Sequence, residues 1–428
     1  MAYWDGKPAA RENIRLFEPP NKWRRWPDDV DPDTKAIRAP GCARTLEGHL
    51  TNGMNATNLA MLAGAGSARS ARNADRAKLS PPGWQELWDA VHTKVGKEAF
   101  DTLIAKLPNG QSISNIEKLL TQCKLFVALY GSKDGDGKTI SDFITNAETA
   151  ILARVDFVDG QTELTAHETL LLKVARRGLR KPRMKVFTTN YDLCFEYAAQ
   201  RRRFIVVDGF SHAAPQIYDR SHFGLDIVRR DGAKDAPDYL ENVFQLFKLH
   251  GSLDWRRVGT DIVRSRAAGG EPVLIFPRDS KYQEAFDPPY LDMMGAFQST
   301  LREPDTALVV AGFGFNDNHL GEPILAALES NMSFRLIVCD PAFLPEDKLD
   351  GDAQILEYDS AAANNEYHKK LLRLAQTGDQ RLVLLNGRFE DLTIALPDLV
   401  AQTERERHVE RVRALRELDG PSGAATTA

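Results

Sequence analysis

The sequence is poor in cysteine, and its cysteines are isolated. Cys42, Cys123, Cys194 and Cys339 are the four in 428 residues, and no two stand at a CxxC spacing. Neither a disulfide framework nor a structural zinc site of the usual form is suggested. No apolar run approaches the ~20 residues that cross a bilayer. The first 25 residues carry Trp4, Trp23 and several charges but no apolar core of a signal peptide. These two absences point to the cytoplasm. Excess positive charge is also missing: 55 Lys and Arg face 60 Asp and Glu, for a net charge of −5. Direct nucleic-acid binding, which needs a basic surface to neutralise phosphates, is therefore not expected. One local basic run, Arg176, Arg177, Arg180, Lys181, Arg183 and Lys185, reads as a solvated helix end or as a basic patch, the first being the simpler reading. There is no internal repeat. No complete GxGxxG follows the first candidate strand, which argues against a hydride-transferring dehydrogenase.

What is present is an ordinary globular balance, 43% hydrophobic and 27% charged. The length allows one large α/β domain with insertions, or two domains. Residues 1–50 are rich in Pro, Arg and Asp with little periodicity, and read as an N-terminal arm or a cover over another surface. Asn58-Leu59-Ala60-Met61-Leu62-Ala63 is a buried-strand candidate. Helical spacing follows, with Trp84, Leu87, Trp88 and Val91 in phase, then Ile113, Ile116, Leu119 and Leu120. A Gly/Asp/Lys loop over 131–138 interrupts the helices, which resume from Ile140 through Arg177. Short β-type runs then recur at Lys185-Val186-Phe187, Phe204-Ile205-Val206-Val207, 243–249, 272–276, Ala307-Leu308-Val309-Val310, 334–338 and Leu382-Val383-Leu384-Leu385. Continuous apolar runs of this length suit strands buried on both faces of a parallel sheet. The expected fold is α/β, a Rossmann-like doubly wound parallel sheet over 51–400 with a large helical insertion at about 75–180. A charged helix over 404–416 and a disordered tail over 420–428 complete the chain.

Four polar or glycine-bearing clusters follow predicted strands. Gly64-Ala65-Gly66-Ser67 lets the backbone approach a phosphate at a helix start, although alone it is as readily a plain tight turn. Thr188-Thr189-Asn190-Tyr191-Asp192 is rich in polar groups for a simple turn, yet Thr, Asn and Asp also serve as helix caps. Lys248-Leu249-His250-Gly251-Ser252-Leu253-Asp254-Trp255 offers a histidine as a general base, against the commoner structural histidine. Gly312-Phe313-Gly314-Phe315-Asn316-Asp317-Asn318-His319 can receive a ribose or phosphate, or cap the next helix. Each cluster is a moderate signal. Their shared position at strand ends points to one common pocket.

The ordered set GAGS, TTNYD, LHGSLDW and GFGFNDNHL resembles the sirtuin-like domains of bacterial anti-phage defence proteins, over about residues 58–340. Asn386-Gly387-Arg388-Phe389-Glu390-Asp391-Leu392 followed by Leu396-Pro397 is similar to the C-terminal ending of several such proteins. The resemblance implies NAD binding, with Gly64, Ala65, Gly66 and Ser67 at the pyrophosphate and Asn190 and Asp192 beside the nicotinamide ribose. It implies His250 as the catalytic histidine, acting with Asn190 and Asp192, and Thr188, Thr189 and Gly251 among the cofactor-binding residues. Gly312, Phe313, Gly314, Asn316, Asp317 and His319 would complete the nucleotide site. Deacetylase sirtuins usually carry a four-cysteine zinc module, which these cysteines cannot build in its usual form. The strand-end motif also reads TTNYD rather than TQNID. Both departures favour NAD+ hydrolysis to nicotinamide and ADP-ribose, with NAD as substrate and no zinc. The alternatives are an NAD-dependent protein deacylase and a non-catalytic subunit sensing NAD or ADP-ribose. An ungated NADase would be toxic to its host, so the expectation extends to a homo-oligomer gated by a partner, with a HerA-type ATPase favoured.

Overall fold

The computed structural model describes residues 4, 6–20, 22–73, 81–107, 110, 113, 115–175, 177–178, 181–230, 238–266, 269–274, 288–344, 349, 354–355 and 365–398. The chain begins with four short strands, β1 (Arg15–Glu18), β2 (Lys22–Arg25), β3 (Asp29–Val30) and β4 (Ile37–Ala39), and a helix, α1 (Ala43–Met54). β5 (Asn58–Ala63) and the single turn α2 (Ala65–Ala68) lead to α3 (Trp84–Val95), α4 (Lys97–Lys106), α5 (Ile116–Tyr130) and α6 (Gly135–Val155). Next come α7 (Thr165–Leu170), β6 (Lys185–Thr188), α8 (Cys194–Arg202), β7 (Ile205–Val207), β8 (Val228–Arg229) and β9 (Asp238–Tyr239). β10 (Val243–Lys248), β11 (Gly251–Val258), β12 (Asp261–Arg264), β13 (Glu271–Leu274) and α9 (Tyr290–Arg302) follow. The last elements are β14 (Thr306–Ala311), α10 (Asn318–Ser330), β15 (Arg335–Cys339), β16 (Gln354–Ile355), α11 (Glu366–Gln376), β17 (Leu382–Asn386) and α12 (Phe389–Ala395).

Ten strands form one sheet in the order β16-β2-β1-β17-β15-β14-β5-β6-β10-β7. From β17 to β7 every pairing is parallel. The apolar runs build this sheet because each alternates between two cores. Leu59, Met61 and Ala63 of β5 enter one core with Ala307, Val309 and Ala311 of β14. Ala60 and Leu62 enter the other with Leu308 and Val310. Period two puts successive side chains on opposite faces, and helices cover both. From β5 the chain goes to β6 on one side and later returns through β14 on the other. Strand order therefore reverses at β5, the position where doubly wound sheets bind ligands beyond their carboxyl ends. The fold is α/β and Rossmann-like, as the run pattern predicts.

The helices α3 to α6 form the insertion and have a core of their own, including Val91, Phe100, Leu103, Leu119, Leu120, Ile140 and Phe143. Tyr191, Leu193, Leu253 and Leu274 of the α/β body are part of that same core, so the insertion is seated on the strand ends. The predicted loop over 131–138 is shorter than expected, because α6 starts at Gly135. Gly137 is helical, and a Cβ there would overlap the Gly131 carbonyl oxygen. Its glycine serves a close approach between the loop and the helix, which sequence pattern reads as loop.

Three other expectations are corrected. The described residues of 1–50 are packed into the body rather than forming an arm. β1 pairs antiparallel with β17, β2 with β1, and α1 buries Leu46, Leu50 and Met54 in the main core. The signal was weak because each strand has four residues and interleaves charges such as Arg15, Glu18 and Arg24, so no continuous apolar run marks it. The run expected over 272–276 does not join the parallel sheet. β13 pairs antiparallel with β11 in a separate three-stranded sheet, and residues 275 and 276 lie outside the described residues. The described residues of the basic run form neither a solvated helix end nor a patch. Arg177 donates to the carbonyls of Thr57 and Ala56, Arg183 pairs with Asp226 at 2.8 Å, and Lys185 with Glu303 at 2.9 Å. Arg176, Arg180, the 404–416 helix and the tail lie outside the described residues. No helix among the described residues is long and apolar enough to cross a membrane.

The N-terminal strands should be part of the cooperative unit. Trp23 is 2% exposed and packs its ring 5.2 Å from Phe17 and 5.7 Å from Phe343. Trp23→Ala should cost about 3 kcal/mol in chemical denaturation, as for other buried aromatic truncations. An unchanged midpoint would show that these strands are dispensable to the body.

Candidate active site

The site begins with two strand ends in backbone contact. Gly66 N donates to Gly312 O at 2.8 Å, and Gly64 N to Ala311 O at 3.3 Å. A Cβ on Gly64 or Gly66 would overlap the backbone of residues 312 and 313, and one on Gly312 would overlap Gly66 and Ser67. Gly312 also has φ +66, which side chains disfavour. So the glycines of both motifs are required first by each other. α2, which contains Gly66, is only four residues long, which leaves little of the helix dipole expected to favour a phosphate.

Asn190 is locked onto this junction. Its Nδ2 donates to Gly64 O at 3.1 Å and to Ser67 Oγ at 3.2 Å, and its own N–H donates to Thr188 Oγ1 at 3.1 Å. Gly64 O can only accept, so the amide orientation is determined, and Oδ1 is left for a ligand. Ser67 is fully buried and its hydroxyl donates to Gly64 O at 2.8 Å. Asp192 accepts the N–H of Cys194, the first residue of α8, at 2.9 Å. Asp192 thus holds the first N–H of α8 from the position before its N-cap, Leu193, while Asn190 faces a pocket.

These strand ends surround a cavity of about 400 Å³, within the usual range for small-molecule sites. Among the predicted residues it is lined by Ala65, Gly66, Thr189, Asn190, Asp192, His250, Gly312, Phe313, Gly314, Asn316 and Asp317. Gly64, Ser67, Thr188, Gly251 and His319 stand behind the wall. Gly251, at φ +85, turns the chain from β10 into β11, and a Cβ there would overlap the Val273 carbonyl. The motif around His250 is thus one turn followed by a strand. The insertion supplies Leu87, and the segment after α6 supplies Phe157, as apolar wall. Among the described lining residues Arg69 is the one cation.

Burial governs the electrostatics. His250 is 4% exposed, and desolvation, helped by neighbouring His319, pushes its pKa well below the usual imidazole value. Burial lowers His319 to about 4. It raises the carboxyls of Asp317 and Asp340, both on the wall, to about 6. At neutral pH the histidines are therefore uncharged, as a general base must be before it acts.

Three positioning groups escape sequence reasoning. Lys248 has a side chain only 2% exposed; its Nζ pairs with Glu196 at 3.0 Å and donates to the carbonyls of Tyr191 and Asp192. It clamps the loop that carries Asn190. Asn365 donates to Gly314 O at 2.9 Å and Phe315 O at 3.1 Å, holding a loop in which Phe315 has φ +54. Asp340, at the end of β15, reaches the wall from a strand whose sequence carries no motif. The clue to Lys248 was a charge inside the apolar run 243–249; for the other two there was none. No group of three or more His, Cys, Asp or Glu side chains among the described residues is placed to hold a metal ion.

Lys248→Met should destabilise the fold by about 3 kcal/mol, because Glu196 loses its buried partner. Equilibrium denaturation measures this, and a loss near zero would remove the clamp. Acid should also destabilise the protein. Burial lowers the pKa of His49, His167, His250, His319 and His368 and raises that of Glu196, Asp317 and Asp340. Below the ordinary imidazole pKa of about 6.5 the unfolded chain takes up protons that the folded imidazoles refuse, so their stability contribution is lost as pH falls toward 4. The raised carboxyls act oppositely over a similar range but are outnumbered. The melting temperature at pH 5 should lie below that at pH 7; the reverse order would contradict the burial of these rings.

Comparison with known proteins adds one finding. No curated protein matches the chain. Residues 184–373 match the family model described as a SIR2-like domain. The matched span takes in Asn190, His250 and the 312–319 loop, and stops short of the helical insertion and Gly64. The match supports a sirtuin-like domain, of a kind that binds NAD, set on this α/β frame.

Proposed function

We propose that this chain is an NAD+ glycohydrolase that cleaves the nicotinamide–ribose bond and releases nicotinamide and ADP-ribose. One observation carries the reading: Asn190 and His250, from two different strand ends, face the same cavity at the point where strand order reverses. SIR2-like domains are typically NAD-dependent enzymes, and the matched span holds both residues.

The chemistry asks little of a general acid, because nicotinamide leaves as a neutral molecule from a cationic ring. The sugar passes through an oxocarbenium-like state, as in glycoside hydrolysis. The pocket must hold the ribose, limit water and place one water molecule on C1′. Asn190 Oδ1, the acceptor that its two Nδ2 bonds leave over, is suited to a ribose hydroxyl or that water. Neutral His250 is suited to take the proton. Asp192, with Oδ1 engaged by Cys194, has its other oxygen for a ribose hydroxyl or the developing positive charge. Arg69 is the natural partner for the pyrophosphate, by charge-assisted hydrogen bonds.

The motif resemblance extends the reading to an NAD-depleting effector of anti-phage defence that works as a homo-oligomer, with a HerA-type ATPase as the favoured gate. Purified protein incubated with NAD, alone and with the product of the neighbouring gene, should release nicotinamide and ADP-ribose in equal amounts by chromatography. Asn190→Ala and His250→Ala should each lower the rate at least ~100-fold while the protein remains folded. Full turnover in both variants would overturn the residue assignment. Deacylation of an acyl-lysine peptide, without hydrolysis in its absence, would replace hydrolase by deacylase. Binding of NAD without turnover under either condition would favour a sensing subunit.

A further inference from the structure

The proposed hydrolysis leaves a proton inside the pocket. The water oxygen bonds to ribose C1′, the C1′–N bond breaks with its electron pair passing to the nicotinamide ring, and one proton of the water remains. His250 is almost fully buried, so a proton placed on it does not meet bulk solvent directly. Its Nε2 lies 3.4 Å from Nε2 of His319, with the rings 5.5 Å apart and inclined by 36°. His319 sits on the first turn of α10, is partly exposed, and is not on the cavity wall. It therefore stands between the cavity histidine and the surface.

We infer that His319 is a positioning residue and the proton outlet of the site: it accepts the Nε2–H of His250, leaves Nδ1 of His250 as the base, and passes the proton on to solvent. This rests on the hydrolase reading. Two facing nitrogens cannot both present lone pairs, so one of them carries the hydrogen. If His319 carried it, neutral His250 would hold its proton on Nδ1 and have no base for the cavity. If His250 carries it, Nδ1 is free to accept. When Nδ1 takes the proton from water, the Nε2–H bond of His250 breaks and its proton bonds to Nε2 of His319. His319 then releases its own Nδ1 proton to water. Each imidazole ends the transfer neutral with its hydrogen on the other nitrogen, one proton has moved outward, and return of both rings to the starting tautomer, by ring rotation or exchange with water once the products leave, completes the cycle. The 3.4 Å separation is longer than the usual upper limit of about 3.2 Å, and such bonds shorten once a substrate is bound and the donor becomes charged.

The test uses the full chain with ¹⁵N-labelled histidine, plus NAD turnover. Long-range ¹⁵N–¹H spectra should show His250 protonated at Nε2 and His319 at Nδ1. His319→Gln keeps an acceptor for His250 but has no second ring nitrogen to release a proton. It should bind NAD within about twofold of the parent and lose about 10- to 100-fold in kcat, and free imidazole should restore part of the rate in His319→Ala. A parental kcat in His319→Gln, or a fall that imidazole leaves unchanged in His319→Ala, would overturn the outlet. Absence of nicotinamide release by the parent, both alone and with the product of the neighbouring gene, would overturn the hydrolase reading instead. The spectra still judge the pair in that case, since a His250 protonated at Nδ1 refutes it and one protonated at Nε2 supports it.

Discussion

The contact between Gly64 and Gly66 on one strand end and Gly312 on another is the constraint on which the site depends. β5 and β14 are neighbours in the sheet, and their following loops touch backbone to backbone. Any side chain there would drive the loops apart. The same contact presents the Gly64 carbonyl that orients Asn190, so a steric requirement of the sheet becomes the positioning of a polar side chain in the pocket. Glycines that read as a phosphate cradle are first of all a joint between two strands.

A second body closes what that joint opens. The insertion helices build their own core and draw Tyr191 and Leu193 into it, on either side of Asp192. The loop after β6 is thus held from three sides: by Asn190 on the junction, by the helical block, and by Lys248 beneath it. A pocket walled this way shifts the pKa values of His250, His319, Asp317 and Asp340 mainly through burial. Such shifts keep the histidines neutral, the form in which one can act as a base and another as its acceptor.

How far the sequence could be read varied with the physics of each part. The parallel strands were legible because a strand buried on both faces must be apolar throughout, as in Leu308-Val309-Val310. The short antiparallel strands β1 and β2 were not, because four-residue strands that mix charge with single buried residues such as Leu16 and Trp23 leave no continuous apolar run. The pocket-facing role of Asn190 and His250 was legible from motif and order. The supporting roles of Lys248, Asn365 and Asp340 were not, since one buried lysine or one asparagine carries no period and no spacing. Gly251 and Gly137 were legible as glycines but misplaced as to purpose, because close backbone approach is a property of distant segments.

By itself the sequence determined the class of fold and the four strand-end clusters, because burial of alternating apolar residues and polar strand ends are local facts. Tertiary structure decided which clusters share a cavity and which stand behind it. It decided that β1 and β2 join the sheet, that the described residues of the basic run bond inward, and that His250 has His319 at its back. Those outcomes depend on distances between residues far apart in the chain, and no local pattern encodes a distance of that kind.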